Sequence, residues 1–213
     1  MHSVAWMPRL LPLFHEHYPD VSVRLIEQGD ELLLKALQSN DADIIIGGMP
    51  VSTQDVTVTL ALEQLLLIVP RAFNIIPSWA YTGNSYENPY EIDPKQLQGL
   101  PLILPSTVND IGGITNQVLE HFDISPKIVA TVDSMQTAAM LVAQDMGYLF
   151  TSPIFLKAQM AELAPNIVYC MARGIPDSRK IVAVYHSDTY KEEMISQLSL
   201  IHISEPTRRT PIS

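Results

Sequence analysis

The sequence predicts an α/β protein of two Rossmann-like lobes joined by two crossing strands. Three observations support this fold class. Helix and strand patterns alternate over residues 7–48, the alternation starts again at residue 100, and 47% of the 213 residues are hydrophobic against 17% charged. Alternation of this kind is typical of right-handed βαβ units in a parallel sheet, and the composition supports a sizeable core.

The first alternating segment runs from residue 7 to residue 48. Apolar residues at helical spacing predict a helix over 7–17, which Tyr18-Pro19 ends because a residue before proline avoids the α region. Val21–Ile26 alternates between apolar and polar residues and predicts a strand. A helix from Asp30, which can cap it, to about Ser39 follows, and the β-branched run at 43–48 predicts a strand buried on both faces.

The remaining elements continue the pattern after a loop-rich interval. Strands are predicted at 56–60 and 62–70, and residues 71–98 are loop-rich, with Ser78–Pro89 as a mobile excursion. The second alternation comprises a strand at 100–104, a helix ending near Phe122, a strand at 127–132, a helix capped by Asp133 or Ser134, a short strand within 147–153, a helix at 154–163, strands at 167–171 and 180–185, and a final helix at 188–198.

This order of elements predicts how the chain divides. We expect a first lobe of residues 1–70 with 172–199, and a second lobe of residues 71–171. Two lobes connected twice form a hinged cleft, and such clefts are favoured sites for small molecules. Residues 200–213 show no helical or strand period, so they are interpreted as a tail of non-native origin, with a native disordered tail as the alternative.

Composition and motifs argue against several classes of function. The net charge of −10 and the lack of a basic stripe argue against direct DNA binding by this chain. No apolar run reaches the ~18 residues of a membrane span and no signal peptide is evident, so a cytoplasmic location is expected. The single cysteine, Cys170, and six scattered histidines predict neither a disulfide nor a metal site. No catalytic or cofactor-binding motif occurs, so neither an enzyme nor a cofactor is expected.

Six short segments carry a resemblance to a known family. They are Leu-Leu-Pro-Leu-Phe-His-Glu-His-Tyr-Pro-Asp-Val at 10–21, Ala-Leu-Gln-Ser-Asn-Asp-Ala-Asp-Ile-Ile-Ile-Gly at 36–47, Leu-Ile-Val-Pro at 67–70, Gly-Leu-Pro-Leu-Ile at 99–103, the helix-forming segment 133–148, and Thr-Ser-Pro at 151–153. In this order and spacing they resemble the effector-binding domain of LysR-type transcriptional regulators, over residues 4–199.

The resemblance implies a periplasmic-binding-protein-like fold of type 2 and a small-molecule effector held between the lobes. It also implies a homodimer that uses the helices at 7–17 and 115–122, and DNA contact only through an N-terminal winged helix-turn-helix that this chain lacks. The family has a strand before its first helix, which Met1–Ala5 alone would have to supply. A two-lobed solute-binding protein of the periplasmic type is the alternative, against which the missing signal peptide argues. An enzyme on a similar scaffold is a third hypothesis.

The candidate ligand-binding residues lie at strand-to-helix turns, and no catalytic or metal residue is proposed. Helix N-termini at such turns favour anionic groups, although the same hydroxyls can act as simple helix or turn caps. The residues, several of them matched through the resemblance, are Ser3, Gln28, Gly29, Asp30, Gly47, Gly48, Ser106, Thr107, Val108, Asn109, Ser134, Met135 and Thr151.

Overall fold

The chain divides into two units in a computed structural model that describes residues 3–48, 55–63, 65–106, 110–156, 163–175 and 179–186. The first unit comprises residues 1–62 and 180–213, and the second comprises residues 63–179. The chain therefore passes from one unit to the other twice, after residue 62 and after residue 179. The assignment of residues to lobes with limits at 70 and 172 stays a prediction.

The first unit contains two described helices, α1 (Ser3–His17) and α2 (Asp30–Gln38), at the predicted places. Helix α1 begins before the predicted residue 7 and contains two prolines. Its buried side chains, Leu10 and Phe14, are four residues apart and so lie on one face. The Tyr18 N–H donates to the Phe14 carbonyl at 2.9 Å, and this bond completes the last turn.

The sheet of the first unit has three described strands: β1 (Ile45–Gly47), β2 (Val56–Glu63) and β9 (Arg179–Tyr185). Their order is β1-β9-β2, and β1 pairs antiparallel with β9. Leu37 of α2 packs with Ile45, Val182 and Val184 in one buried cluster. The expectation of parallel pairing at 43–48 is therefore wrong for the neighbour that the structure describes.

The predicted strand at Val21–Ile26 is absent from the structure. The side chains of Val21, Val23 and Leu25 are exposed, and no described strand pairs with this segment. A strand needs a neighbour to satisfy its N–H and C=O groups, and alternation of apolar residues alone does not supply one.

The described part of the second unit contains six strands, which form one continuous sheet. They are β3 (Leu66–Pro70), β4 (Tyr90–Ile92), β5 (Pro101–Pro105), β6 (Lys127–Val132), β7 (Leu149–Thr151) and β8 (Ile167–Ala172). Two groups, β4-β8-β3-β7 and β5-β6, are joined by a parallel bridge between Leu102 and Tyr148. β5 runs parallel to β6 and, through that bridge, to β7, whereas β3 runs antiparallel to β7 and β8.

The helices that the structure describes in the second unit are α3 (Asp110–His121), α4 (Met135–Ala143) and α5 (Pro153–Leu156). The interval predicted as loop-rich contains 3-10 turns at Arg71–Phe73, Ser78–Tyr81 and Pro94–Leu97, and the strand β4. Residues 157–162 of the predicted helix at 154–163, the final helix at 188–198 and the tail at 200–213 lie outside the described residues.

Candidate functional site

Three parallel strands of the second unit end at the same edge of the sheet. The Ser106 N–H, directly after β5, donates to the Val132 carbonyl at the end of β6 at 2.8 Å. On the other side of β5, the Ile103 N–H donates to the Tyr148 carbonyl at 2.9 Å, which sets the register of β7. These contacts bring Ser106, Ser134 and Thr151 to the carboxyl ends of adjacent parallel strands, where α/β proteins bind ligands.

Ser106 has an unsatisfied hydroxyl at this edge. Its Oγ is buried and makes no hydrogen bond within the described part of the chain. The simple capping role is therefore not seen there. A buried hydroxyl without a partner costs about 1–3 kcal/mol, so an external hydrogen-bonding group at this position would be favoured.

The first turn of α3 lies directly against the backbone that follows β5. A Cβ atom at Gly112 would overlap the carbonyl oxygens of Pro105 and Ser106, so only glycine permits this approach. The close packing brings the N-terminus of α3, with its positive dipole end, beside Ser106. Thr107, Val108 and Asn109, which connect the two elements, lie outside the described residues.

Ser134 and Met135 begin α4 at the same edge, and both have structural roles. The Ser134 Oγ accepts a hydrogen bond from the Thr137 N–H at 3.2 Å, which identifies Ser134 as the N-cap. The Met135 side chain is buried in the core. Of the two predicted caps, Ser134 and not Asp133 is the one used.

A carboxylate that the sequence analysis missed lies beside Thr151. The Ser152 Oγ donates to Glu63 Oε2 at 2.8 Å, and both Thr151 and Ser152 are buried. Glu63 ends β2 and is the first residue of the second unit. Glu63 could have been noticed in the sequence because it is the one charged residue between positions 56 and 70.

The candidates of the first unit lie at the N-terminus of α2 and at the end of β1. Gly29 is the N-cap of α2, and its carbonyl accepts from the N–H groups of Leu32 and Leu33 at 3.0 Å each. Asp30 is the first helical residue and not the cap, which corrects the prediction. Gly47 ends β1 and is buried, Gly48 follows it, Gln28 is exposed, and Ser3 is the first residue of α1.

The edge of the second unit therefore brings together a buried hydroxyl, the positive end of a helix dipole and a carboxylate. Among the described residues no group of histidine, cysteine and acidic side chains could hold a metal ion. Burial raises the pKa of the Cys170 thiol to about 12, so this thiol is a poor nucleophile. No described helix is long and apolar enough to cross a membrane.

Curated proteins similar to this chain are transcriptional regulators. It is 25% identical to the "Probable RuBisCO transcriptional regulator" of Porphyra purpurea, over 91% of this chain and 59% of that protein. It is 24% identical to the "RuBisCO operon transcriptional regulator" of Acidithiobacillus ferrooxidans, over 84% of this chain and 54% of that protein. The chain thus spans less than two thirds of the length of these relatives.

Solved structures show the same fold at low identity. The CcmR regulatory domain of Synechocystis PCC6803 in complex with 2-PG matches with a TM-score of 0.78 at 17% identity, covering 96% of this chain and 95% of that one. The effector-binding domain of QuiR in complex with shikimate matches with a TM-score of 0.71 at 15% identity, covering 91% and 88%. The fold is the periplasmic-binding-protein-like α/β fold of type 2 that the sequence analysis predicts.

The family is shown by a match over almost the whole chain. A profile described as "LysR substrate binding domain" matches residues 2–199, which include every described element of both units. The chain therefore belongs to the LysR substrate-binding domain family.

Proposed function

We propose that this chain is the effector-sensing domain of a LysR-type transcriptional regulator, a binding module that takes a small metabolite and catalyses no reaction. The observation that carries the proposal is the unpartnered, buried Ser106 hydroxyl at the meeting point of three parallel strand ends. The names of the relatives support a regulator and not the alternative, a solute-binding protein.

Hydrogen bonding defines the ligand we expect. It would offer a donor or acceptor to Ser106 and would reach the N-terminus of α3, which favours negative charge. Glu63, whose carboxylate accepts from Ser152 just after β7, favours a hydrogen-bond donor such as a ligand hydroxyl. A small hydroxylated acid combines these features, and shikimate, which one of the similar structures holds, belongs to this class. Gln28, Gly29, Gly47 and Gly48 of the first unit are further proposed contacts.

Thermal unfolding in the presence of candidate ligands tests this proposal. A ligand that binds only the folded form stabilises it by about 2.7 kcal/mol at 100 times its Kd, which raises Tm. The probes are 2-PG, shikimate, amino acids and aromatic acids at millimolar concentration. We expect at least one hydroxylated acid to raise Tm in the wild-type chain.

Two variants locate the ligand. Ser106→Ala should reduce the ligand-induced rise in Tm at least by half, whereas Ser78→Ala, which changes an exposed turn residue, should leave it unchanged. Ser106→Ala removes a hydroxyl that has no described partner, so the fold itself should tolerate it. The proposal fails if no probe shifts Tm, and its site fails if the rise is equal in both variants.

Assembly and cellular context are part of the same proposal. A homodimer would use the helices α1 and α3, and Leu13 is exposed on α1. DNA contact would come from another part of a longer regulator. The proposed location is cytoplasmic. Sedimentation at several protein concentrations tests the dimer, and Leu13→Glu should shift the equilibrium toward monomer. A monomer at all concentrations would contradict this part of the proposal.

A further inference from the structure

His186 connects three elements of the first unit. It directly follows β9, and its ring Nδ1 lies 2.8 Å from Asp55 Oδ1, at the residue that precedes β2. The ring Nε2 lies 2.8 Å from the carbonyl oxygen of Leu37 in the last turn of α2. The His186 side chain is 36% exposed and the Asp55 side chain 11% exposed, so the carboxylate is largely shielded from water and the ring only partly.

Both partners of the ring are hydrogen-bond acceptors. A carboxylate and a backbone carbonyl have no hydrogen to give, so each ring nitrogen of His186 must donate. Neutral imidazole carries a single N–H and can satisfy one of these partners, whereas imidazolium satisfies both. The geometry around His186 therefore favours the protonated form.

The end of α2 adds to this preference. Leu37 is next to the last residue of α2, and carbonyl groups in the last turn carry the negative end of the helix dipole, which favours a cation. The Leu37 carbonyl oxygen also accepts a hydrogen bond from the Asn40 N–H at 3.1 Å. The hydrogen bond from His186 therefore uses the second lone pair of this oxygen. The Leu37 side chain lies in the buried cluster with Ile45, Val182 and Val184.

Each of the three elements beside the ring contributes described charged or titratable groups. Asp55, the residue before β2, contacts the ring directly through its carboxylate. Helix α2 carries Lys35 in its last turn, and that side chain is exposed, so solvent screens its repulsion. On β9 the buried Tyr185 precedes the histidine, and Lys180 lies near the opposite end of the strand.

We propose that His186 is a protonation-dependent clasp that ties α2, β2 and β9 together in its imidazolium form. β2 and β9 are neighbours in the sheet, and they are the two strands by which the chain leaves and re-enters the first unit. The clasp holds the ends of these strands that are remote from the two crossings. Loss of the ring proton breaks one of the two hydrogen bonds and frees either Asp55 or α2.

The direction of the pH effect follows from which form is favoured. The folded protein favours imidazolium, so the pKa of His186 is raised above the value of about 6.5 in an unfolded chain. The clasp then contributes its full stability below about pH 6.5 and loses it as the pH rises through the raised pKa.

Nitrogen-15 NMR of the histidine rings in the full chain tests the clasp without any substitution. We expect both ring nitrogens of His186 to be protonated at pH 6.5 and its pKa to lie about one unit or more above 6.5. His15 and His121, which are exposed, serve as references in the same spectra. A His186 pKa at or below 6.5, or one unprotonated ring nitrogen at pH 6, would overturn the proposal.

Two variants separate the clasp from general effects of pH. Asp55→Asn keeps a side-chain oxygen for the ring but removes the charge, so the pKa of His186 should fall relative to the wild type. His186→Gln should remove the extra loss of Tm that the wild type shows between pH 6 and pH 8.5. An unchanged His186 pKa in Asp55→Asn contradicts the proposal, as does an unchanged pH dependence of Tm in His186→Gln.

Discussion

Asn84 satisfies both backbone polar groups of Tyr169. Its Nδ2 donates to the Tyr169 carbonyl at 2.9 Å, and its Oδ1 accepts from the Tyr169 N–H at 2.8 Å. Tyr169 is the residue before Cys170, where the short strand β4 begins to pair with β8. The amide side chain of Asn84 thus extends the edge of the sheet by one residue, in place of a backbone partner.

Replacement of Asn84 should therefore destabilise the second unit. Asn84→Ala leaves the N–H and C=O of Tyr169 without partners at a partly buried position, and we expect a loss of about 2–4 kcal/mol in the free energy of unfolding. Urea unfolding followed by circular dichroism measures the loss. Asn88→Ala, which removes an exposed side-chain hydrogen bond to the Gly83 carbonyl, is the matched control and should cost less than 1 kcal/mol. Equal losses in the two variants would contradict the role of Asn84.

Neighbouring glycines in α3 should respond in opposite ways to the same substitution. Gly112→Ala forces a methyl group into the carbonyl oxygens of Pro105 and Ser106, so we expect a loss of about 1–3 kcal/mol in the free energy of unfolding. A Cβ at Gly113 would have nothing within 4 Å, so Gly113→Ala should stabilise the protein by about 0.5–1 kcal/mol. Chemical unfolding of both variants under one set of conditions checks this difference. A tolerated Gly112→Ala would show that α3 does not pack closely on Ser106.

Helices and strands with a clear local pattern of apolar residues were predictable from the sequence. The pairing of the strands was harder to predict. The helices at α2, α3 and α4 and the strands β5 and β6 fall within a few residues of the predictions, because their apolar spacing and flanking turns act locally. The segment Val21–Ile26 has the right alternation but no described neighbour, and pairing partners distant in the chain are not encoded in a short pattern.

The candidate site was predictable to a similar degree. Ser106, Ser134 and Thr151 were predicted because strand-to-helix turns can be read from the sequence, and the pairing of β5 with β6 and β7 places all three at one edge of the sheet. Glu63 escaped prediction because its contact with Ser152 joins residues 89 positions apart. The clasp of His186 with Asp55 spans 131 positions and escaped for the same reason.

Tyr148 offers a substitution that should improve stability. Its hydroxyl is buried and has no hydrogen-bond partner among the residues described, and burial raises the pKa of this phenol. Tyr148→Phe removes the unpaired hydroxyl and keeps the ring that packs edge-on against Phe150, so we expect a gain of about 1 kcal/mol or more. The variant Tyr86→Phe, at a half-exposed ring, should change stability by less than 0.5 kcal/mol. A loss of stability in Tyr148→Phe would indicate that a bound water satisfies the hydroxyl.

Cys170 should make the stability of the protein fall at alkaline pH. The thiol is buried in β8, and burial raises its pKa to about 12, whereas the unfolded chain exposes a thiol with a pKa near 8.5. The unfolded state then loses its proton first, so the folded state is penalised as the pH rises above 8.5. At pH 10 the penalty is about 2 kcal/mol, because each pH unit contributes about 1.4 kcal/mol.

The variant Cys170→Ala isolates this contribution from the tyrosines and lysines that also titrate. It removes a small buried side chain at a cost that does not depend on pH, so wild type and variant should converge by about 2 kcal/mol between pH 8 and pH 10. Urea unfolding at both pH values measures the convergence. Native Cys170 should also resist a thiol-reactive dye at pH 8 until urea unfolds the chain. Rapid labelling of the folded protein, or parallel pH profiles for the two chains, would show that the thiol ionises in the folded state and that β8 does not shield it from water.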